Sequence, residues 1–319
     1  MSVAIVGAGA IGGLLGAYLA RSGEEVILIA RGPHLAAMRS RGVTVRGDGE
    51  EFTTRPECTD DMKAIARADV VFLTLKAHSI PAVAEAIGSS LADGASLVCA
   101  QNVIPWWYFE DRHLESVDPG GIIARSIPYI KVVGCIAYPA AHVAEPGVIE
   151  HIEGNRFTLG EPDGSKSARI QAISSMLIKA GLKAPVQQRI RNEIWLKLLG
   201  NATLNPLSAL TRASLADIVT SPITRDLVLT LMEEVDAVAS ALGVEVPLTI
   251  EKRMAGAAAT GQHKTSMLQD LEAGRPLEVD ALVGAVVELA RDAGVPVPTL
   301  DVVYRLVKLL DETRRPGMS

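Results

Sequence analysis

Near the start of the chain, glycine recurs at a spacing that suits dinucleotide binding. Gly7-Ala8-Gly9-Ala10-Ile11-Gly12 fits the pattern G-x-G-x-x-G, follows a predicted strand and opens a predicted helix. In such a motif Gly7 permits a tight turn, Gly9 lets a pyrophosphate approach the backbone, and Gly12 lets helix and strand pack closely. The helix N-terminus then offers free N–H groups and a partial positive charge to the anion. The alternative is a glycine-rich turn without a ligand.

Two cationic side chains follow predicted strands and are further candidates for the same site. NAD-binding proteins usually have Asp or Glu where this chain has Arg31, and that acid binds the ribose 2′-hydroxyl. A planar guanidinium suits a 2′-phosphate instead, so Arg31 predicts NADP(H) rather than NAD(H). Lys76 follows the next such strand, and ligands of α/β sheets bind at strand C-termini. For both residues the alternative is a solvated surface cation.

The elements that must position these residues alternate between strand and helix before the composition changes. Strands are predicted at 2–6, 26–30, 68–74, 96–100, 132–138, 148–151, 156–159 and 184–187, with helices at 14–21, 80–87 and 166–180. Further helices are predicted at 189–204, 222–241, 247–258, 266–273, 278–293 and 299–313. We therefore expect an α/β Rossmann-type dinucleotide-binding domain (1–188) followed by an all-α C-terminal domain (189–319).

Beyond the glycines, the chain resembles the ketopantoate reductase (2-dehydropantoate 2-reductase) family over nearly its full length. The stretches that carry the resemblance are Gly7–Gly12, Thr74-Leu75-Lys76-Ala77, Gln101-Asn102, Ile194-Trp195-Leu196-Lys197-Leu198, Asn201, Asn205-Pro206-Leu207, Ser266-Met267-Leu268-Gln269-Asp270 and Leu277-Glu278-Val279-Asp280. Their order and spacing make the joint match specific. The resemblance implies NADPH-dependent reduction of 2-dehydropantoate to pantoate, as in pantothenate and coenzyme A biosynthesis.

The resemblance also implies roles for individual residues in a cleft between the two domains. Lys197 resembles the general acid, and Glu278 the carboxylate that binds the substrate hydroxyl. The expected substrate-binding residues are Asn102, Asn201, Asn205 and Ser266. The positions expected to bind the cofactor are Gly7, Ala8, Gly9, Ala10, Ile11, Gly12, Arg31, Lys76, Asn102 and Glu278.

The chemistry expected of Lys197 follows from the charge that reduction creates. Hydride arriving at a ketone carbon leaves negative charge on oxygen, which a nearby ammonium stabilises and then protonates. Burial lowers the pKa of a lysine, which brings proton donation within reach near neutral pH. Lys197, Asn201 and Asn205 recur every four residues, so on a helix they share one face. Pro206 is expected to distort or end that helix at Asn205.

Each of these residues also has a structural alternative. A helical lysine is usually solvated, and the two asparagines could cap a helix end. Ser266 stands three residues before Gln269, which is also the pattern of a capping box. Glu278 could be an acid of a first helical turn, favoured by the helix dipole.

Two features leave the substrate open. Val103 stands where the family usually has glycine, and a β-branched residue is strained at positive φ. Trp106-Trp107-Tyr108-Phe109 could be a packed or dimer-facing cluster, or a wall or lid of the active site. A bulkier 2-oxo acid is therefore one alternative substrate. The rival functions are an opine-type or β-hydroxyacid dehydrogenase and a catalytically silent NADPH-sensing module.

Composition narrows the remaining classes of protein. The net charge of −6 without a Lys/Arg stripe argues against nucleic acid, and no segment has the length and apolarity of a membrane span. No basic residue precedes Arg21, as a signal peptide would require. The three cysteines are far apart, and the six histidines show no metal-ligand spacing, so we expect a cytoplasmic protein without a metal site. A homodimer is the default expectation.

Overall fold

A computed structural model describes residues 1–47 and 49–314. The chain packs as two units. The first comprises the described residues of 1–101, 106–113 and 120–190, and the second comprises 102–105, 114–119 and 191–314. The fold class predicted from the sequence is confirmed, since the first unit is an α/β structure around a mainly parallel sheet and the second is helical.

The central sheet of the first unit has seven strands. They are β1 (Ser2–Val6), β2 (Glu25–Ile29), β5 (Glu57–Thr59), β6 (Val70–Leu73), β7 (Ser96–Cys99), β8 (Val132–Ala137) and β11 (Phe157–Gly160). Their spatial order is β11-β8-β7-β6-β1-β2-β5, and every pair is parallel except β8 with β11. The parallel strands β1, β2, β6, β7 and β8 consist almost entirely of buried, mostly hydrophobic residues, as expected of a parallel sheet covered on both faces.

A second sheet of four strands was not predicted. Its strands are β3 (Val43–Gly47), β4 (Glu50–Thr54), β9 (Ala140–Glu145) and β10 (Val148–Glu153), in the order β4-β3-β10-β9. The sheet contacts the first helix of the chain, where a Cβ at Gly13 would lie 3.0 Å from the Ile149 side chain. The sequence predicts β10, at 148–151, but no strand at the positions of β3, β4 and β9.

The helices of the first unit are α1 (Ala10–Arg21), α2 (Gly32–Arg41), α3 (Ala84–Ser90), α4 (Ile122–Ser126) and α5 (Ala168–Lys179). The predicted strand at 184–187 is wrong. That segment makes isolated bridges, Arg156 with Lys183 and Leu159 with Val186, and Pro185 has no N–H with which to continue a ladder. The three cysteines are buried.

The helices of the second unit are α6 (Ile190–Thr211), α7 (Leu215–Thr220), α8 (Arg225–Ala241), α9 (Ile250–Ala259), α10 (Ser266–Glu272), α11 (Ala285–Ala293) and α12 (Pro298–Thr313). A π-helical turn, Asp280–Gly284, leads into α11. Within residues 1–47 and 49–314, none of the helices has both the length and the apolar character that crossing a bilayer requires.

Of the two effects expected of Pro206, the end of the helix is wrong, because α6 runs through this residue to Thr211. Proline removes one backbone hydrogen bond, but burial of the surrounding turns compensates for that loss. Ala202, Thr203, Leu204 and Leu207 are all buried. Asn205 therefore lies on the same continuous helix as Lys197.

Candidate active site

The first candidate site lies in the first unit, where the order of the strands reverses. β1 is flanked by β2 on one side and by β6 on the other, and all three strands are parallel. Their C-terminal ends therefore meet at one edge of the sheet, and ligands of open α/β sheets bind at such a switch point. The residues that follow these ends are Gly7 after β1, Ala30 and Arg31 after β2, and Thr74 to Lys76 after β6.

The glycine-rich turn is held to the end of β2 by backbone hydrogen bonds. The N–H groups of Gly7 and Ala8 both donate to the carbonyl oxygen of Ile29, at 3.1 and 3.0 Å. Gly7 has φ +100°, where a side chain is strained, and a Cβ there would also lie 2.9 Å from the backbone nitrogen of Leu75. The tight turn predicted at Gly7 is thus present.

Gly12 is the point where α1 meets the ends of β1 and β6. A Cβ at this position would lie 2.4 Å from both the Gly7 carbonyl oxygen and the Thr74 Oγ1. Thr74 Oγ1 in turn donates to the Gly7 carbonyl at 2.8 Å. Glycine is therefore required at position 12 for the close helix packing that the motif predicted.

The space in front of the turn fits a phosphate group. Gly9 is exposed, and a Cβ built on it would meet nothing within 4 Å. Gly9 is also the N-cap of α1, where no side chain caps the helix and its first turn carries no acid. The free N–H groups of a helix N-terminus attract an anion, so the residues present suit the pyrophosphate of a dinucleotide.

Gln101 fixes the loop that carries Lys76. The buried amide nitrogen of Gln101 donates to the carbonyl oxygens of Leu73, at 2.6 Å, and Leu75, at 3.3 Å. Lys76 itself is exposed and precedes a short 3₁₀ turn, Ala77–Ser79. The sequence motifs predict no site role for Gln101 or Thr74, although polar residues directly after buried strands are the signal that marks them.

Arg31 lies at the start of α2, directly after β2. Its side chain is exposed and forms no hydrogen bond or ion pair with the part of the chain that the structure describes. The guanidinium is thus available to a ligand at the sheet edge. His34, on the first turn of α2, accepts a hydrogen bond at Nδ1 from the Gly147 N–H at 3.0 Å. Burial lowers the pKa of His34, opposed by the nearby Ala8 carbonyl.

The second candidate site, in the second unit, is a polar row on α6. Lys197, Asn201 and Asn205 lie on one face of this helix at successive turns. Lys197 and Asn201 are half-buried and Asn205 is buried, whereas the neighbouring Trp195 and Leu198 are packed in the core. The row places a cation and two amides in a partly desolvated strip, which suits a ligand carrying carbonyl and carboxylate oxygens.

Glu278 is half-buried and precedes the helical segment that contains the π-helical turn. The carbonyl oxygen of Glu278 accepts a hydrogen bond from the Leu282 N–H at 3.1 Å. The preceding residue is held as well, because the Leu277 N–H donates to the buried Asp311 carboxylate at 3.1 Å. The backbone of Glu278 is thereby fixed on both sides.

Ser266 does not cap α10, which was the structural alternative for this residue. The N-cap of α10 is Thr265, whose hydroxyl accepts from the Leu268 N–H at 3.1 Å, so the capping box predicted for Ser266 is wrong. Gln269 donates to the Lys264 carbonyl instead. Ser266 is exposed in the first turn, which leaves its hydroxyl outside the cap.

The loop after β7 does not show the backbone strain that was expected at Val103. Among the described residues, Arg212 is the non-glycine residue with positive φ, so Val103 needs no glycine-like conformation. Val103 is buried, and the adjoining Ile104 N–H donates to the Ala281 carbonyl at 3.3 Å. Asn102 packs with the same second unit. The loop thus follows a course that a β-branched residue can adopt.

The aromatic block beyond this loop is mostly interior. Trp106, Trp107 and Tyr108 are buried, and a Cβ at Gly134 of β8 would lie 2.6 Å from the Trp107 ring. The half-buried Phe109 packs edge-on against Tyr108 with the ring centroids 4.9 Å apart. These contacts favour a packed cluster over a wall or lid of the active site.

Known proteins resemble the chain in both halves. Residues 3–164 match the family described as Ketopantoate reductase PanE/ApbA, and residues 189–311 match Ketopantoate reductase PanE/ApbA C terminal. A 2-dehydropantoate 2-reductase of Mesorhizobium japonicum is 46% identical over 318 residues, which cover 97% of this chain and 98% of the relative.

Solved structures agree over similar lengths. A protein of Ralstonia solanacearum MolK2 regarded as a ketopantoate reductase has a TM-score of 0.93 and 39% identity, with 98% of each chain covered. A D-mandelate dehydrogenase solved with NADH and anilino(oxo)acetate has a TM-score of 0.86 at 23% identity, covering 98% of this chain and 99% of the other. The second likeness shows the fold alone.

Proposed function

Because the chain belongs to the ketopantoate reductase family, we propose that it reduces 2-dehydropantoate to pantoate with NADPH. The reaction would serve pantothenate and coenzyme A biosynthesis. The observation that carries the proposal is the polar row of α6, because Lys197 stands on a continuous helix with two amides on the same face. A reductase of 2-oxo acids needs a proton donor beside groups that bind carbonyl and carboxylate oxygens.

The first unit would bind the cofactor. Residues 7–12 would take the pyrophosphate against the start of α1, with Gly9 leaving the space open. Arg31 would bind the 2′-phosphate, which makes NADPH the preferred cofactor over NADH. Lys76 and Asn102 would contact the nicotinamide half and its ribose. When bound, NADPH supplies the hydride.

The second unit would handle the substrate and the proton. The Lys197 ammonium would hydrogen-bond the ketone oxygen, stabilise its developing negative charge and transfer a proton to it. Asn201, Asn205 and Ser266 would orient the substrate. The Glu278 carboxylate would bind a substrate hydroxyl and contact the cofactor, on a backbone that Asp311 helps to fix.

The test is the oxidation of NADPH in the presence of 2-dehydropantoate, compared between the native chain and Lys197→Ala. We expect kcat of the variant to fall by about a hundredfold or more, as for loss of a general acid. Lys63→Ala, which removes an exposed lysine of the first unit, should keep native activity. NADPH binding, followed by fluorescence, should remain in both variants.

A panel of 2-oxo acids, including bulkier aryl-substituted ones, defines the substrate. A preference for 2-dehydropantoate supports the proposal. A higher kcat/KM for a bulkier acid would identify that acid as the substrate instead. An amine requirement for turnover would reveal opine-type chemistry. Native protein that binds NADPH but reduces no acid would contradict the enzyme reading.

Three further expectations belong to this proposal. Residues 1–188 would form the cofactor domain and 189–319 the substrate and dimerisation domain. The exposed Val302, Leu306 and Leu309 form an apolar stripe on α12, which together with the default of two-fold symmetry supports a homodimer. Light scattering during gel filtration measures that state. Buried thiols fit a cytoplasmic protein, which fractionation of the source cells would check.

A further inference from the structure

A guanidinium group lies against the polar helix α6 at a glycine. A Cβ built on Gly200 would lie 1.9 Å from Nη2 of Arg253, and 2.5 Å from both its Cζ and its Nε. These atoms belong to the planar head of the arginine, so the head rests directly on the Gly200 backbone. Gly200 is buried, and Arg253 is half-buried with an Nε atom shut off from solvent.

Glycine is an unfavourable residue in the middle of a helix. It destabilises the helix relative to alanine, because its backbone loses more freedom on folding. Gly200 has helical backbone within α6 and no positive φ, so conformation does not require it. The guanidinium occupies the place that a side chain at position 200 would take, so a larger residue there would make the flexible Arg253 head move away.

The contact lies beside the candidate catalytic lysine. Gly200 follows Lys197 by three residues and precedes Asn201 directly. Helical positions three apart are surface neighbours, with Cβ atoms roughly 5–6 Å apart. The guanidinium, which comes from α9, therefore flanks the Lys197–Asn201 face rather than the opposite side of α6.

We propose that Arg253 binds the carboxylate of the 2-oxo acid substrate, which makes it a specificity-determining residue. The inference rests on the proposed function, because a 2-oxo acid carries its carboxylate directly beside the ketone that Lys197 would protonate. The guanidinium presents a planar fork of N–H donors that matches a carboxylate in a bidentate arrangement. It stays protonated at every relevant pH, so it attracts the acid without competing with Lys197 as a proton donor.

The opposing interpretation is that Arg253 only packs two helices together or pairs with an acid. Glu193, one turn before Lys197, is an acid on the same side of α6. A packing or pairing role predicts lower thermal stability for Arg253 variants, with no change in which substrates are preferred. The two interpretations thus differ in substrate selectivity, which stability alone does not report.

The first experiment compares Arg253→Met and Arg253→Lys with the native chain on a 2-oxo acid and its methyl ester. We expect kcat/KM for the acid to fall by about tenfold to a hundredfold in Arg253→Met, with the ester little affected. Arg253→Lys keeps the charge but loses the fork, so the fall should be smaller. The KM for NADPH should stay native. An unchanged acid-to-ester ratio in both variants overturns the proposal.

Gly200→Ala tests the contact between the Gly200 backbone and the Arg253 guanidinium without removing the positive charge. Its methyl group should displace the guanidinium and lower the acid-to-ester ratio in the same direction, in a protein whose melting temperature shows that it is folded. A folded Gly200→Ala protein with the native ratio counts against the placement of the carboxylate.

Calorimetric binding of oxamate, a non-reducible 2-oxo acid analogue, to the NADPH-loaded protein separates this inference from the proposed function. Binding that Arg253→Met abolishes supports the carboxylate site even where no acid is reduced, an outcome in which the proposed function fails alone. If turnover and oxamate binding both persist in Arg253→Met, the proposed function is supported and this inference is overturned.

Discussion

Thr74 donates a 2.8 Å hydrogen bond through its hydroxyl to the carbonyl oxygen of Gly7, which joins the loops after β6 and β1. The same hydroxyl lies within 3.2 Å of the Val6 carbonyl, and the Thr74 N–H also donates to that carbonyl at 2.9 Å. The carbonyl of the glycine turn therefore points into the protein, while the open side of the turn, at Gly9, faces solvent. One side chain thus helps to fix the shape of the proposed pyrophosphate site.

Replacing Thr74 with valine should weaken NADPH binding without removing any atom that touches the cofactor. A hydrogen bond of this kind contributes about 0.5–1.5 kcal/mol, which corresponds to a dissociation constant raised about two- to tenfold. Fluorescence titration with NADPH measures the change. Thr74→Ser keeps the hydroxyl and should bind as the native chain does. Equal affinity in the valine variant would show that the turn holds its shape without this bond.

Replacing Gln101 with leucine should loosen the loop that carries Lys76. The variant leaves the Leu73 and Leu75 carbonyls without the amide donor, at a cost of about 1–3 kcal/mol for a buried polar group left unsatisfied. We expect a lower melting temperature together with a raised KM for NADPH. Gln188→Leu, at an exposed glutamine, is the control. If the KM for NADPH rises without a fall in melting temperature, or the melting temperature falls without a rise in KM, the two effects do not share this cause.

Replacing Arg31 with alanine should reduce the preference for NADPH over NADH. Loss of a charge-assisted contact with the 2′-phosphate costs about 1.5–3 kcal/mol, so the ratio of kcat/KM values should fall about tenfold to a hundredfold. The kcat/KM measured with NADH should hardly change. Arg41→Ala removes an exposed arginine from the same helix and serves as the control. An Arg31→Ala protein with the native cofactor preference would refute the assignment.

His34 should make the stability of the protein depend on pH. Burial lowers the pKa of His34 in the folded chain, and its Nδ1 accepts the Gly147 N–H, a bond that protonation at Nδ1 would break. A histidine whose folded pKa lies below its unfolded pKa of about 6.5 stabilises the fold above that pH. This stabilisation is lost as the pH falls through the folded pKa, because the unfolded chain binds the proton more readily.

The measurement is the melting temperature of the native chain and of His34→Asn at about pH 7 and about pH 5. The asparagine offers an acceptor that does not titrate, so the drop on acidification should be smaller in the variant. His78→Asn, at an exposed imidazole, should show the native drop. The same drop in all three proteins would show that His34 does not carry the pH dependence.

The fold class and the glycine turn could be predicted because both depend on local order along the chain. Strand, glycine pattern and helix follow one another within residues 2–21, and the tight turn at Gly7 is as expected. The contacts of Thr74 and Gln101 depend instead on which strands are neighbours. The sequence does not state that β6 lies beside β1, so it gives no reason to pair Thr74 with a carbonyl 67 residues away.

Local rules also failed where packing outweighs them. Proline predicts the end of a helix, yet α6 continues through Pro206 because the turns around it are buried. Ser266 has the spacing of a capping residue, but Thr265, one position earlier, has the extended backbone that a cap requires. The short strands β3 and β4 are half-exposed, so they lack the apolar runs that identify the strands of the central sheet.

The four-stranded sheet has a consequence for how the protein is made. Val45 of β3 pairs in parallel with Ile149 of β10, about a hundred residues later in the chain. Ile149 also covers α1 at Gly13, one position beyond the glycine motif. A ribosome must therefore synthesise about a hundred residues beyond β3 before the helix that opens the nucleotide site receives its cover. Until then, α1 exposes an apolar face after it leaves the ribosome, and chaperones would act on that face during translation.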